Sequence, residues 1–244
     1  MMHRLSDRLE TLLALCRKGE RGADVGCDHG YVSIRLVRDG IFRSMLAMDL
    51  REGPLQAARD HIREEGLEDR IECRLSDGLE ALEAGEADAL ICAGMGGDLM
   101  CRILDVGMDK LRQMKQLVLQ PQSEISEFRR FLRKNGFRIE AEELVLEDGK
   151  YYPMMRAANG VETYDDEDAC APLYDAYGRL LLQGRHPLLK SFLERESVIA
   201  AGVRERLLES PKRDGERLQA RLAEVDAELE RIGRAQRFFE EGEA

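Results

Sequence analysis

The sequence predicts an α/β protein: a mostly parallel seven-stranded sheet with an antiparallel last strand, followed by a C-terminal α-helical coiled-coil hairpin. Three observations carry this. Short apolar runs alternate with helix-like segments as far as Lys134, the pattern of a parallel sheet joined by right-handed crossovers. Two longer extended runs then follow with a tight turn between them. Towards the end of the chain the apolar spacing changes to alternating steps of four and three.

In order, a polar helix covers about residues 4–18. The apolar runs are Ala23 to Gly26, Met45 to Met48, Ile71 to Leu75, Ala89 to Cys92 and Gln116 to Leu119, each too short for a helix. Between them Tyr31 to Arg38, Pro54 to Glu65, Leu79 to Glu83, Leu99 to Arg112 and Ile125 to Lys134 read as helices. Phe137 to Leu146 and Tyr151 to Ala157 are joined only by Glu147-Asp148-Gly149-Lys150, a hairpin turn that makes the last pair antiparallel. The polar stretch from Asn159 to Pro172, with Asp165-Asp166-Glu167-Asp168 in a row, marks a boundary between predicted domains at residues 1–160 and 161–244. In the second, Leu218, Leu222, Val225, Leu229, Ile232 and Phe239 form a heptad seam. Leu189, Phe192, Ile199, Val203 and Leu207 keep a similar register upstream, and Ser210-Pro211 breaks the chain between two antiparallel helices. Such a pair serves either packing alone or contact with a substrate.

The chemistry concentrates at Gly22-Ala23-Asp24-Val25-Gly26-Cys27-Asp28-His29-Gly30, a strand running into a glycine turn and then a helix. Glycine lets the backbone turn and a ligand approach closely, and the helix start offers unpaired N–H groups. Asp49 closes the next apolar run, 23 residues beyond Gly26, where an acid can accept hydrogen bonds from ribose hydroxyls. The position that would cradle a pyrophosphate is Asp28, whose carboxylate repels phosphate and suits an ammonium or a sulfonium. S-adenosylmethionine carries both. An ordinary strand-turn-helix corner is the plainer alternative. Two further loops leave the carboxyl ends of strands: Ser76-Asp77-Gly78, where Asp77 can accept from an adenine amino group, and Ala93-Gly94-Met95-Gly96-Gly97, which exposes backbone groups and one apolar side chain.

A hydrophobic fraction of 43% in 244 residues is enough for a real core. No stretch approaches a membrane span, and Met1-Met2-His3-Arg4-Leu5-Ser6-Asp7 has no apolar signal region, so a cytoplasmic protein is expected. Six cysteines without a Cys-x-x-Cys pair read as small core residues of a reducing compartment, with no metal site. The net charge of −11 divides evenly, with 24 basic and 29 acidic residues in 1–160 and 13 and 19 in 161–244. A field that draws phosphate to the whole molecule is absent. Any RNA contact needs local patches such as Arg4, Arg8, Arg17, Lys18 and Arg21, or Arg129, Arg130, Arg133 and Lys134, unless these are solvated helix faces.

Asp-Val-Gly-Cys-Asp-His-Gly-Tyr (24–31), Ser-Asp-Gly-Leu-Glu (76–80), Ile-Cys-Ala-Gly-Met-Gly-Gly (91–97), Leu-Gln-Pro (119–121) and Glu-Asp-Gly-Lys-Tyr-Tyr (147–152) together resemble the bacterial TrmK family. The parallel sheet ending in an antiparallel hairpin is likewise the Rossmann-like outline of class I methyltransferases. The resemblance covers nearly the whole chain, with Gly30 in place of an alanine and Val32-Ser33 in place of Leu-Pro. It implies an S-adenosylmethionine-dependent methyltransferase acting on N1 of adenosine 22 in the D-loop region of tRNA, expected as a monomer without metal or membrane. It further implies cofactor binding by Asp24, Gly26, Asp28, Gly30, Asp49, Leu50, Asp77, Gly78, Ala93, Gly94, Met95 and Gly96. Catalytic roles fall to Asp28, to relieve the charge emerging on the base, to His29, to orient base or cofactor, and to Tyr31, to stack on or hydrogen-bond a flipped ring. The plainer alternatives are that His29 caps the following helix and Tyr31 packs in its first turn. Two rival functions share the cofactor loops: a small-molecule methyltransferase, and a non-catalytic nucleotide-binding adaptor acting through the helical hairpin.

Overall fold

The structure, a computed structural model, describes residues 5–209 and 215–240. The chain divides into two compact units, Met1–Asp166 and Glu167–Ala244.

In the first unit, α1 (Asp7–Leu15) leads into β1 (Gly19–Val25), α2 (Tyr31–Arg38), β2 (Phe42–Asp49), α3 (Glu52–Glu64), β3 (Ile71–Leu75), β4 (Ala89–Met95), α4 (Gly97–Val106), α5 (Met108–Leu111), β5 (Gln116–Pro121), α6 (Ile125–Lys134), β6 (Phe137–Glu147) and β7 (Lys150–Asn159). The seven strands form one sheet in the order β3-β2-β1-β4-β5-β7-β6. β1 to β5 pair in parallel, and β7 runs antiparallel to both β5 and β6, as the hairpin turn predicts. Sequence order reverses between β1 and β4, where the chain goes left to β2 and β3 and then returns to the right. Crossovers leave that switch point on both sides, so a crevice opens at the carboxyl ends of β1 and β4.

The central strands are buried on both faces, which is why they read as continuous apolar runs: Ala23, Leu46, Ala47, Leu90, Cys92 and Leu119 are all closed to solvent. α1 opens on Ser6, whose hydroxyl accepts the Leu9 amide, and buries Leu12, Leu13 and Leu15 against the sheet.

Two predicted helices differ. Leu79 to Glu83 forms consecutive turns with amide-to-carbonyl bonds three residues apart, Glu80 to Asp77 and Leu82 to Leu79. Buried Leu79 and Leu82 anchor it. Leu99 to Arg112 divides at Gly107 into α4 and α5, and Leu79 packs where a Cβ at Gly107 would stand, so only glycine fits that position.

The second unit holds α7 (Ala171–Tyr177), α8 (Arg179–Gln183), α9 (Pro187–Leu208) and α10 (Glu216–Glu240). α9 and α10 pack together. Val225 and Ile232 of the heptad seam are buried while Leu218, Leu222, Leu229 and Phe239 are half-buried, and Arg204 pairs with Asp226 at 2.6 Å. Ile199, expected in the upstream register, is 51% exposed. The Ser210-Pro211 break and Arg4 lie outside the described residues. Among the described residues no helix is long and apolar enough to cross a membrane.

Candidate active site

A cavity of about 530 Å³ lies at the switch point. The turn after β1 supplies Gly26, Cys27, Asp28 and His29, the end of β2 supplies Asp49 and Leu50, the turn after β3 supplies Asp77 and Gly78, and β4 ends in Ala93, Gly94 and Met95. Asp24 and Tyr31 also line it. Every site residue expected from the sequence therefore gathers here except Gly30 and Gly96, which are outside the lining.

Those two glycines serve the backbone. Gly30 caps α2 in the left-handed region at φ 75, with no side chain closing the helix end, so the alternative in which His29 caps that helix does not hold. Gly96 is the residue before α4. At Gly26, φ is +73 and a Cβ would collide with Cε of Met95, so two strand ends meet there with room for backbone alone. A register shift between Ala93 and Met95 bulges β4 and aims this loop into the crevice.

Two carboxylates at the cavity are buried. Asp49 is 6% exposed, and its two oxygens accept the Asp28 amide at 3.2 Å and the Arg51 amide at 2.9 Å. Asp24 is 4% exposed and accepts the Ser33 hydroxyl at 2.8 Å. Burial, opposed by the Ser33 hydrogen bond and aided by the charge of Asp49, pushes the Asp24 carboxyl up to about 6. Ser33 stands where the family resemblance expects proline, so this departure supplies a donor to the cavity acid. Asp28 takes φ 50 and is well exposed, with His29 Nε2 3.7 Å from its Oδ1. Leu50 is 62% exposed, an apolar surface at the cavity mouth.

The cavity also has a roof that the motifs did not reveal: Arg8, Leu9 and Leu12 of α1. Arg8 donates to Gln120 Oε1 at 2.8 Å, the same oxygen that accepts the Gly94 amide at 3.2 Å. It also lies 3.7 Å from Glu147 and 5.5 Å from the Tyr152 ring centre. Leu9 and Leu12 repeat at helical spacing, which marks a packing face but not what it packs on. Arg51, Leu99, Ile103 and Gln122 are among the other lining residues that the sequence left unassigned.

Positive charge is scarce here. Arg8 is tied to Glu147, and Arg51 is an exposed side chain whose Nε is 3.9 Å from Asp49, against Asp24, Asp28, Asp49 and Asp77. The basic patches are largely spent on structure. Arg129 is fully buried with Glu142 at 2.9 Å, Arg133 reaches Asp166 at 2.7 Å and stacks over Tyr164, Arg21 pairs with Glu72 and Arg17 with Glu140. Cysteine chemistry is closed off as well. Burial pushes the Cys92 thiol up to about 12 and raises Cys27, which lines the cavity, so neither forms a nucleophilic thiolate near neutrality. No group of side chains suited to a metal ion occurs among the described residues.

Comparison with known proteins agrees with this geometry. The chain is 36% identical over 157 residues to the tRNA (adenine(22)-N(1))-methyltransferase of Bacillus subtilis, a match covering 64% of this chain and 66% of that relative, just under two thirds of its length. Its fold matches the crystal structure of the B. subtilis m1A22 tRNA methyltransferase TrmK with a TM-score of 0.84 at 28% identity, covering 96% of this chain and 99% of that one. It matches Streptococcus pneumoniae Sp1610 in complex with S-adenosyl-L-methionine with a TM-score of 0.82 at 28% identity, covering 96% and 100%. A family model described as a methyltransferase domain matches residues 5–155, and the chain belongs to that family.

Proposed function

We propose that this protein transfers a methyl group from S-adenosyl-L-methionine to N1 of adenosine 22 in tRNA. The observation that carries this is the charge of the cavity, where four aspartates line a nucleotide-sized crevice at a sheet switch point. A dinucleotide would bring phosphates against Asp28, whereas a cationic nucleoside is attracted. The relatives named for tRNA adenine-N1 methylation and the relative holding S-adenosyl-L-methionine support the same reading.

The residues fit that cofactor. Asp49, with its oxygens aimed by two backbone amides, would accept from the ribose hydroxyls. Asp77 would take the adenine amino group, with Leu50 as an apolar surface for the ring. Asp24 and the Gly94 loop remain for the charged methionine end. When bound, the cofactor supplies an electrophilic sulfonium methyl, whose S–C bond breaks as the N1–C bond forms and positive charge passes to the base. Adenine N1 is a nucleophile when neutral, so no side chain has to remove a proton before attack. The protein's work is to hold N1 in line and to stabilise the emerging cation, a role the Asp28 carboxylate fits. N1 lies on the Watson–Crick edge, so the nucleotide has to leave any stack or pair to enter the crevice.

In this reading residues 1–160 form the cofactor-binding domain and residues 161–244 a helical coiled-coil domain that contacts tRNA. The enzyme works as a monomer in the cytoplasm. Incubation with methyl-labelled S-adenosyl-L-methionine and unmodified tRNA, followed by nucleoside analysis, tests it. Label is expected as 1-methyladenosine, and none in a tRNA with guanosine at position 22. Equal labelling of both would remove that position from the assignment.

A further inference from the structure

The cavity is unevenly equipped. Its four aspartates belong to β1, β2 and the turn after β3, all on one side of β4. Where β4 and β5 end, Ala93, Gly94, Met95, Leu99 and Gln122 line it, and of these five Gln122 has the hydrogen-bonding side chain. The polar groups around it are already committed. Gln120 is fully buried; its Oε1 accepts from Arg8 and from the Gly94 amide, and its Nε2 donates to the Pro121 carbonyl at 3.0 Å. The Gln122 backbone amide donates to the Met95 carbonyl at 2.8 Å, which fixes the root of its side chain to the Gly94 loop. From there the side chain reaches Gly94, with Nε2 3.9 Å from where a Cβ would stand. It is exposed at the cavity, and among the described residues its amide group has no hydrogen-bond partner.

The geometry points to Gln122 as the residue that reads the target base, its amide pairing with the amino group and N7 of adenine and leaving N1 open to the methyl group. This rests on the reading of adenine N1 as the target. In that reading the cofactor runs from its adenine at Asp77 to its methionine end at Asp24 and Gly94, so the receiving base enters beside the ends of β4 and β5. An adenine that is to be methylated at N1 is not recognised through N1. Its other hydrogen-bonding edge carries the amino group, a donor, next to N7, an acceptor, and one planar amide meets both at once. Guanine has two acceptors on that edge, and one of them is left facing the amide oxygen. Arg8 reaches the same end of the cavity from α1, but a guanidinium only donates and opposes the cation that forms. The contact with Oε1 strengthens during reaction. A methyl on N1 spreads positive charge to the amino nitrogen, whose N–H becomes a better donor, and an interaction stronger in the transition state accelerates the chemistry.

Methylation of tRNA carrying adenosine, 7-deazaadenosine or purine riboside at position 22 tests this. The second base lacks N7 and the third lacks the amino group, while both keep N1. Ratios of kcat/KM are compared between the wild-type protein and its variants, so the intrinsic reactivity of each base cancels. Gln122→Ala is expected to lower the adenosine-to-7-deazaadenosine and adenosine-to-purine ratios by about tenfold each. Gln122→Glu, which keeps an acceptor and has no N–H to give, should retain the second ratio and lose the first. Both ratios unchanged in Gln122→Ala would overturn the inference, and a first ratio retained in Gln122→Glu would overturn the pairing with N7. Affinity of Gln122→Ala for S-adenosyl-L-methionine in calorimetry is expected at the wild-type value; a tenfold loss would place the amide on the cofactor and overturn the inference as well. Methylation of none of the three tRNAs by the wild-type protein would instead defeat the target assignment, and this inference with it.

Discussion

Two regions of this molecule bury carboxylates in opposite ways. At the cavity, Asp24 and Asp49 are satisfied by uncharged donors, the Ser33 hydroxyl for one and the Asp28 and Arg51 amides for the other. Between α6 and β6, Glu142 meets the guanidinium of Arg129, and both side chains are 1% exposed. Either arrangement meets the hydrogen-bonding needs of a buried acid. The first leaves negative charge in place, at the expense of burying it, and the second cancels it. Charge left standing in a crevice draws a cation, whereas charge cancelled inside a packed layer contributes only to architecture.

Breaking the cancelled pair gives the largest expected effect. Arg129→Ala leaves Glu142 buried without its guanidinium and should cost about 3–5 kcal/mol in urea denaturation, while Arg129→Met with Glu142→Leu recovers most of that loss. Wild-type stability for Arg129→Ala would erase the contrast.

The uncancelled acids should respond in the other direction. The Asp24 carboxyl lies above its ordinary value, at about 6 in place of 3.8, so the folded protein holds that proton more tightly than the unfolded chain. Between those two values stability falls as pH rises, and the cost is fully present above about pH 6. Asp24→Asn should therefore be more stable near neutral pH, by at most about 3 kcal/mol, with a flatter pH dependence in that window. Cofactor affinity of the wild-type protein should weaken as pH falls through about 6, with proton release on binding measured by calorimetry in buffers of different ionisation enthalpy. A loss of stability in Asp24→Asn at neutral pH would show that the charge is compensated after all.

Asp49→Ala should weaken cofactor binding by about 2 kcal/mol in calorimetry, the loss of hydrogen bonds to a charged acceptor. Wild-type affinity would move the ribose elsewhere. Asp28 is exposed, so Asp28→Asn should leave cofactor affinity near normal and slow methylation by about tenfold, about 1.4 kcal/mol of barrier. Unchanged turnover would remove it from the chemistry.

How much of this was legible follows from the range of each interaction. The strand-turn-helix at Asp24 to Tyr31, the acid at Asp49 and the bulged Gly94 loop are local signals, since each position has a backbone or ligand reason visible within a few residues. The fate of Arg129 and Arg133 was not. Their partners, Glu142, Asp166 and Tyr164, are brought near by a turn and a boundary segment, so of an apparent basic face Arg129 is interior and Arg133 half-buried and paired. The roof from α1 was hidden for the same reason. Helical spacing shows that a face packs, but only the sheet order decides on what. The Leu79 to Glu83 segment misled differently, because apolar spacing of three suits repeated turns as well as a short helix.

Ser33 tests whether uncharged donors are what hold the cavity acid. Its hydroxyl favours the charged form of Asp24, against the burial that disfavours it. Ser33→Ala is the smallest change, worth about 1 kcal/mol of stability at neutral pH, a size that a small packing defect could equal. The pH dependence separates the two causes. Losing the donor should raise the Asp24 carboxyl further above about 6, so the pH at which cofactor affinity declines should move upward, whereas a packing defect would weaken stability at every pH and leave that midpoint in place. An unmoved midpoint would make Ser33 filler for α2 and leave the Asp24 charge to be held by something other than its hydroxyl.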